Sequence, residues 1–401
     1  MQRLSTPLTL GFAGIAHVFS HMFVLFYATV VLVLEHQWQL PYAELMALSI
    51  PGAVMFGAGA LPAGWLGDKW SAAGMMAVFF LGTGFGSIWT GLADGPVGVA
   101  VGLALLGTFA SIYHPVGIPW LLKHAVNRGR ALGFNGVLGS FGTALAALVA
   151  GGLAELAGWR AAFIVPGVIS IIVGLGLILT LRLGWIVERA DDAAPQPTSS
   201  AGDIKRVFAV LAVTVVVAGL VYQAMSYALP KIFEERLADM VGSSLIGIGG
   251  LVSICFLVSG LTQLIGGELA DRYSLKLVYA ASQGLLAPAC IFGFYAFGPV
   301  LVGAAILMAS FNVIGQPAEN ALLARHTPPH WRGQVFGVKF VLTLGVSTIG
   351  VALIPVIHGM TGNLDGLFVV LGTAALIAFA CTLFLPAESR RAVVLASTGD
   401  D

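Results

Sequence analysis

A few ionisable side chains interrupt the long apolar stretches of this chain: His17, His21, His114, Glu319 and Lys339. A charged group at a bilayer centre costs about 2.5–3.5 kcal/mol or more, so such residues tend to be functional. His17 and His21 are one helical turn apart and share a face. His114 directly precedes Pro115, which weakens its helix and frees a carbonyl. Imidazole titrates in the physiological range, so these three histidines, with Glu319, are the candidates for proton handling. Glu319 lies about six residues before Arg325, and Lys339 about seven after Arg332. At 1.5 Å per residue both sit roughly 9–10 Å below the same surface. Opposite charges at equal depth on consecutive helices suggest a pair that opens for a proton or for an anionic group, with Lys339 as the anion's partner.

Each of these residues also has a structural reading. Lys339 and Glu319 fit a fixed ion pair, or a lysine that extends to the surface. His114 fits a neutral imidazole bonded to backbone, and His17 and His21 fit polar groups packed against the fifth or seventh helix. An i, i+4 histidine pair can also hold a transition metal, with Met22 and Met225 as soft donors. No further Met or His pair supports that reading in the seventh and eighth helices, so no metal site is expected.

Neutral polar residues are scattered through the same stretches: Tyr27, Tyr113, Asn135, Tyr222, Gln223, Tyr227, Gln263, Asn312, Gln316 and Asn320. They suit the orientation of a small solute between apolar walls, or the joining of one helix to the next. No P-loop, GxSxG, HExxH or Cys/His zinc spacing occurs. Neither an enzyme nor a cofactor is expected. Cys255, Cys290 and Cys381 lie in apolar runs and read as small core residues.

The elements that carry these residues are membrane helices. Of 401 residues, 58% are hydrophobic and 9% charged, with a mean hydropathy of +0.94. A soluble domain carries about 25% charged residues, so only a polytopic all-α membrane protein fits. Twelve stretches reach the roughly 20 residues that a span needs, near 8–34, 42–66, 72–93, 96–121, 131–155, 159–184, 206–230, 245–269, 275–297, 299–324, 333–358 and 365–386. The first is too long for a cleaved signal and is expected to stay as a span. Residues 188–205 hold Asp191, Asp192, Pro195 and Pro197 and read as a linker. It divides an N-terminal bundle, 1–187, from a C-terminal bundle, 206–401.

The two bundles repeat one another. Gly64-Trp65-Leu66-Gly67-Asp68-Lys69 returns as Gly267-Glu268-Leu269-Ala270-Asp271-Arg272. Arg128-Gly129 with Gly133 returns as Arg332-Gly333 with Gly337, His114-Pro115 as Gln316-Pro317, and Gly158 as Gly362. Asn135 falls opposite Lys339. The offset stays near 202–204 residues, which a chance match would not do. Lys69, Lys123, Arg128, Arg182, Lys205, Arg272, Lys276, Arg325, Arg332 and Arg390 gather on one side, against Arg160, Lys231 and Arg236 on the other. By the positive-inside rule, both termini, the linker and both Asp loops face the cytoplasm. Lys339 is read as the only basic residue inside a span.

On these residues the chain resembles the major facilitator superfamily. Tyr113-His114-Pro115, Arg128-Gly129-Arg130-Ala131-Leu132-Gly133, and Gly136, Gly139 and Gly142 are similar to the fosmidomycin-resistance type of exporter. The resemblance implies two six-helix bundles that rock about a central site near the midplane. It implies a monomer in a bacterial-type inner membrane, with a small-molecule substrate, protons and the lipid bilayer as its partners and no nucleic acid. Cavity lining by the first, fourth, seventh and tenth helices follows, as does a gate at Asp68, Lys69, Asp271, Arg272, Arg128 and Arg332. There each Asp would lock to nearby basic residues, Asp68 with Lys69 and Asp271 with Arg272 and Lys276. The expected function is proton-coupled export of a small organic solute, with Lys339 suited to an anionic group on it. Import of a metabolite, or of a transition metal such as copper, is the alternative.

Overall fold

A computed structural model of the chain describes residues 2–187, 201–327, 335, 338–346 and 348–386. Among them, twelve helices are long and apolar enough to cross a membrane. These are α1 (Ser5–Trp38), α2 (Tyr42–Lys69), α3 (Ala72–Leu92), α4 (Pro96–His124), α5 (Ala131–Ala157) and α6 (Ala161–Arg182), then α7 (Ile204–Arg236), α8 (Leu245–Arg272), α9 (Leu275–Tyr295), α10 (Gly298–His326), α11 (Val338–Thr361) and α12 (Asp365–Thr382). They fall where the hydropathy puts them. Most of the expected linker lies outside the described residues, and the helix that becomes α7 already begins at Ala201.

One boundary differs with consequence. α7 continues past Pro230 to Arg236, so Lys231 joins Lys339 as a basic residue inside a span. The charged run Lys231, Glu234, Glu235 reads as a helix end only while its partners are unknown. Glu35 of α1 reaches Lys231 at 2.8 Å, and that pairing lets the helix run on.

The duplication is visible in the packing. α1 packs on α5, α2 on α4 and α3 on α6; likewise α7 packs on α11, α8 on α10 and α9 on α12. Local stops recur too. Ser71 accepts from the Gly74 amide (2.9 Å) and Ser274 from the Leu277 amide (3.1 Å), so each caps the helix that follows an Asp loop. Gly158 and Gly362 end α5 and α11 in left-handed backbone, with φ of 84° and 73°, a conformation that side-chain-bearing residues rarely adopt.

The halves meet along α5 with α8 and α2 with α11, and α1 lies against α7. Small residues make these approaches possible. A Cβ on Gly57 of α2 would come within 2.1 Å of the Gly345 Cα in α11. Large apolar side chains on α3 and α6, among them Phe85, Trp89, Ile172 and Leu175, point outward, as a lipid-facing surface requires. α1 is the most buried span and forms the axis around which the site is built.

Candidate functional site

The site starts from a proline. Pro115 has no amide hydrogen to give, so α4 cannot keep a regular ladder there. The helix widens into a π-helical turn over Tyr113–Gly117, a local form often found at functional sites. Tyr113 and His114 are both buried at this turn, 0% and 5% exposed.

α1 supplies His17 and His21 to the same place. The His17 ring stacks on Tyr113 with centroids 4.6 Å apart, and His114 meets His17 at 5.5 Å and His21 at 5.2 Å. One nitrogen from each of the three imidazoles lies within 4.8 Å of the others. Asn135 of α5 holds the group from below. Its carbonyl oxygen lies 2.6 Å from His17 Nδ1, and its side-chain oxygen accepts from the Tyr113 hydroxyl at 2.7 Å. A carbonyl only accepts, so His17 Nδ1 carries the proton. Gly139 makes room for this: a Cβ there would lie 2.5 Å from the His17 ring. His114 Nδ1 is buried with no hydrogen-bond partner among the described residues.

The C-terminal half closes over the cluster. Phe340 of α11 lies 5.2 Å from the His114 ring, and Tyr222 of α7 lies 6.4 Å from His21. Tyr222 and Thr143 of α5 share a 2.5 Å hydrogen bond. Sequence reasoning missed Phe56, whose ring lies 6.0 Å from His114, as well as Phe340 and Thr143. An apolar ring in an apolar helix carries no signal of its own.

Glu319 and Lys339 form a second polar group in the C-terminal half. Lys339 Nζ lies 2.6 Å from Glu319 Oε1 and also donates to Asn320 Oδ1. The Tyr279 hydroxyl donates to Glu319 Oε2 at 2.7 Å. The two side chains are 11% and 4% exposed. Lys339 directly precedes Phe340, so the second group adjoins the wall of the first.

Other expected site residues are spoken for elsewhere. Tyr27 donates to the Leu45 carbonyl at 2.7 Å, Tyr227 to the Val24 carbonyl at 2.7 Å, and Asn312 to the Ala218 carbonyl at 3.0 Å. These three join helices rather than enter the cluster. Gln223 is buried on α7, and Gln316 is half-buried where α10 breaks at Gly315. Neither reaches the histidines.

The expected Asp locks are not formed among the described residues. Asp68, Lys69 and Asp271 are exposed and make no ion pair among the described residues. Arg272 pairs with Glu268 one turn back on its own helix, because i and i+4 share a face and i and i+1 do not. Lys276 Nζ instead donates to the carbonyls of Leu383 and Leu385, at 2.8 and 2.5 Å. The side chain of Arg128 and all of Arg332 lie outside the described residues. What the first loop does show is close packing. Cβ atoms on Gly64 and Gly67 would lie 3.3 Å from Pro115 and 2.9 Å from Val116, so the end of α2 rests on the π-turn that carries His114.

Polar ties between the halves begin near the middle of the bundle and continue to the face opposite the Asp loops. Gln263 donates to Ser140 at 2.9 Å, and Thr348 to the Ala53 carbonyl at 3.1 Å. Farther out, Glu155 accepts from Ser244 and the Ile246 amide. Lys231 bridges Glu35 and Glu234 at 2.8 Å each and sits 4.9 Å over the Tyr42 ring. In the other half of the bundle a cleft of about 470 Å³ runs between α1 and α5, past Thr6, Gly14 and Leu138. Asn135 lines it too, so the residue that holds His17 also faces the cleft.

Solved structures share this architecture. A bacterial homolog of the human lysosomal transporter Spinster, inward-facing and occupied, aligns at TM-score 0.72 with 15% identity, covering 98% of this chain and 96% of that one. The unoccupied form aligns at 0.71 with 13% identity, covering 98% and 95%. A D-xylose-proton symporter aligns at 0.73 with 14% identity, covering 96% and 98%. At such identities the likeness is one of fold. No curated protein sequence matches the chain. The Major Facilitator Superfamily model matches residues 10–254 and 211–400, which takes in both bundles. The chain belongs to the Major Facilitator Superfamily and is a multi-pass membrane protein of the secondary-transporter class.

Proposed function

We propose that this protein moves a small organic solute by alternating access, coupled to protons, with export by antiport as the direction. The observation that carries the reading is the His17–His21–His114 cluster. It lies near the middle of the bundle, is built by one half and is covered by Phe340 and Tyr222 of the other. A site placed so is uncovered when the halves rock apart. The cleft at Asn135 supports access from the Asp-loop face. The ties from Gln263 to Lys231 support closure of the opposite face in this state.

Lys339, held by Glu319 and Asn320 next to the covering ring, is the group for a carboxylate or phosphonate on the solute. An anion that takes the lysine must displace Glu319, and the displaced carboxylate then suits a proton. Export is favoured by the resemblance of the Tyr113–Gly133 stretch. The Lys and Arg asymmetry supports cytoplasmic Asp loops and termini, and the family resemblance supports an inner membrane and a working monomer.

The test is proton flux in liposomes that contain only this protein and a trapped pH dye. A phosphonate or carboxylate gradient should drive proton movement in the wild type and not in His114→Ala. Unchanged flux in a folded His114→Ala protein would remove that residue from the coupling route.

A further inference from the structure

The same imidazoles fit a second kind of ligand. We propose that His17, His21 and His114 form an exchangeable binding site for a divalent transition-metal ion of the Zn²⁺, Co²⁺ or Ni²⁺ kind. The inference goes beyond the solute reading and stands on the geometry of the cluster.

Three features carry it. First, one nitrogen from each ring lies within 4.8 Å of the others, close enough for small side-chain shifts to bring all three to one ion at the usual metal–nitrogen distance of about 2.0–2.1 Å. Second, His17 is already oriented as a ligand. Its Nδ1 proton goes to the Asn135 carbonyl at 2.6 Å, which leaves the Nε2 lone pair free. A ligating histidine almost always gives its other N–H to such an acceptor, and that bond fixes tautomer and ring direction. Third, His114 is 5% exposed and its Nδ1 has no partner among the described residues. A buried polar atom left unpaired is costly, and an ion coordinated at Nδ1 would satisfy this one.

The donor set says which ions fit. Three neutral imidazoles suit zinc, cobalt, nickel and copper, whereas magnesium and calcium require oxygen ligands. Among the described residues no fourth His, Cys, Asp or Glu joins the group. A structural zinc site is closed by four protein ligands, and three ligands leave a position open for water or an anion. Three ligands from α1 and α4, covered from the other half by Phe340 and Tyr222, make a site that loads and unloads.

The experiment is a Co²⁺ titration of the purified full-length protein, carrying no polyhistidine tag, read by visible ligand-field absorption. One equivalent should bind with the intense bands of low-coordinate cobalt. His17→Ala, His21→Ala and His114→Ala should each lose those bands while keeping the wild-type gel-filtration profile. No bands in the wild type would overturn the proposal, and so would wild-type bands in any folded histidine variant. Solute-driven proton flux, measured separately with no metal present, reads the transport proposal alone, so either can fail without the other.

Discussion

Phe340 of α11 packs against His114 of α4 with ring centroids 5.2 Å apart and planes inclined at 46°. The two residues come from opposite halves of the duplicated chain, and Phe340 is the residue after Lys339. The contact therefore joins the histidine cluster to the Glu319–Lys339 pair through one peptide unit. Any motion of α11 away from α4 uncovers His114 and shifts Lys339 together. An aromatic pair of this kind contributes about 0.5–1.5 kcal/mol beyond its buried area. Phe340→Ala should thus favour the parted state by roughly two- to tenfold. Hydrogen exchange at the Tyr113–Gly117 turn should speed up by a similar factor, and unchanged exchange would mean that Phe340 does not cover the turn.

The Glu319–Lys339 pair makes a prediction about stability. Both side chains are nearly buried, and removing one member of a buried pair costs about 3–5 kcal/mol because the other charge is stranded. Glu319→Gln should therefore lower the unfolding temperature clearly. The double variant Glu319→Gln with Lys339→Met should recover most of the loss, since no lone charge remains. A thermal unfolding series on the two single variants and the double variant measures this. Additive losses would mean that the pair is not a coupled unit.

These two groups were not equally legible in the sequence. Glu319 and Lys339 could be matched because depth along a helix is read by counting residues from its end. His17 and His21 could be placed on one face for the same reason. The approach of His114 to them could not be read, because it depends on how α1 crosses α4 and on the π-turn at Pro115. The twelve spans and the duplication were open to composition and spacing alone. The partner that each Asp takes could not be read, because Asp68–Lys69 and Asp271–Arg272 are neighbours in sequence, and side chains at i and i+1 diverge around a helix. Lys231 was hidden by its own context, a proline followed by charges, which imitates a helix end.

Lys231 now carries a prediction of its own. It is 8% exposed and holds Glu35 of α1 and Glu234 of α7 together at the face opposite the Asp loops. Lys231→Ala would leave Glu35 and Glu234 close together, with Glu235 also near, and no lysine between them. The carboxylates are partly exposed, at 25% and 22%, so solvent softens the penalty to about 1–3 kcal/mol. That penalty falls on the state in which this face is closed. A cysteine placed at Ala228, buried just inside the tie, should then react roughly 5- to 100-fold faster with a bulky thiol reagent. The comparison needs a background in which Cys255, Cys290 and Cys381 are replaced. Equal labelling with and without Lys231 would show that the lysine does not hold the face shut.

Gly67 of the first Asp loop, which aligns with Ala270 in the repeat, and Gly267 of the second should respond differently to alanine. At Gly67 a Cβ would lie 2.9 Å from the Val116 methyl group, and a β-branched side chain in a helix has little freedom to turn aside. Gly67→Ala therefore has to push the end of α2 away from the π-turn, and His114 is part of that turn. At Gly267 a Cβ would meet nothing within 4 Å among the described residues, so Gly267→Ala has no such effect there and gains helix propensity of up to about 1 kcal/mol. Solute-driven proton flux should fall several-fold in Gly67→Ala and stay near wild type in Gly267→Ala. If the loops acted only through their aspartates, both alanines would be tolerated alike. Unequal loss would tie the first loop to the histidine site through packing, since neither substitution alters a charge.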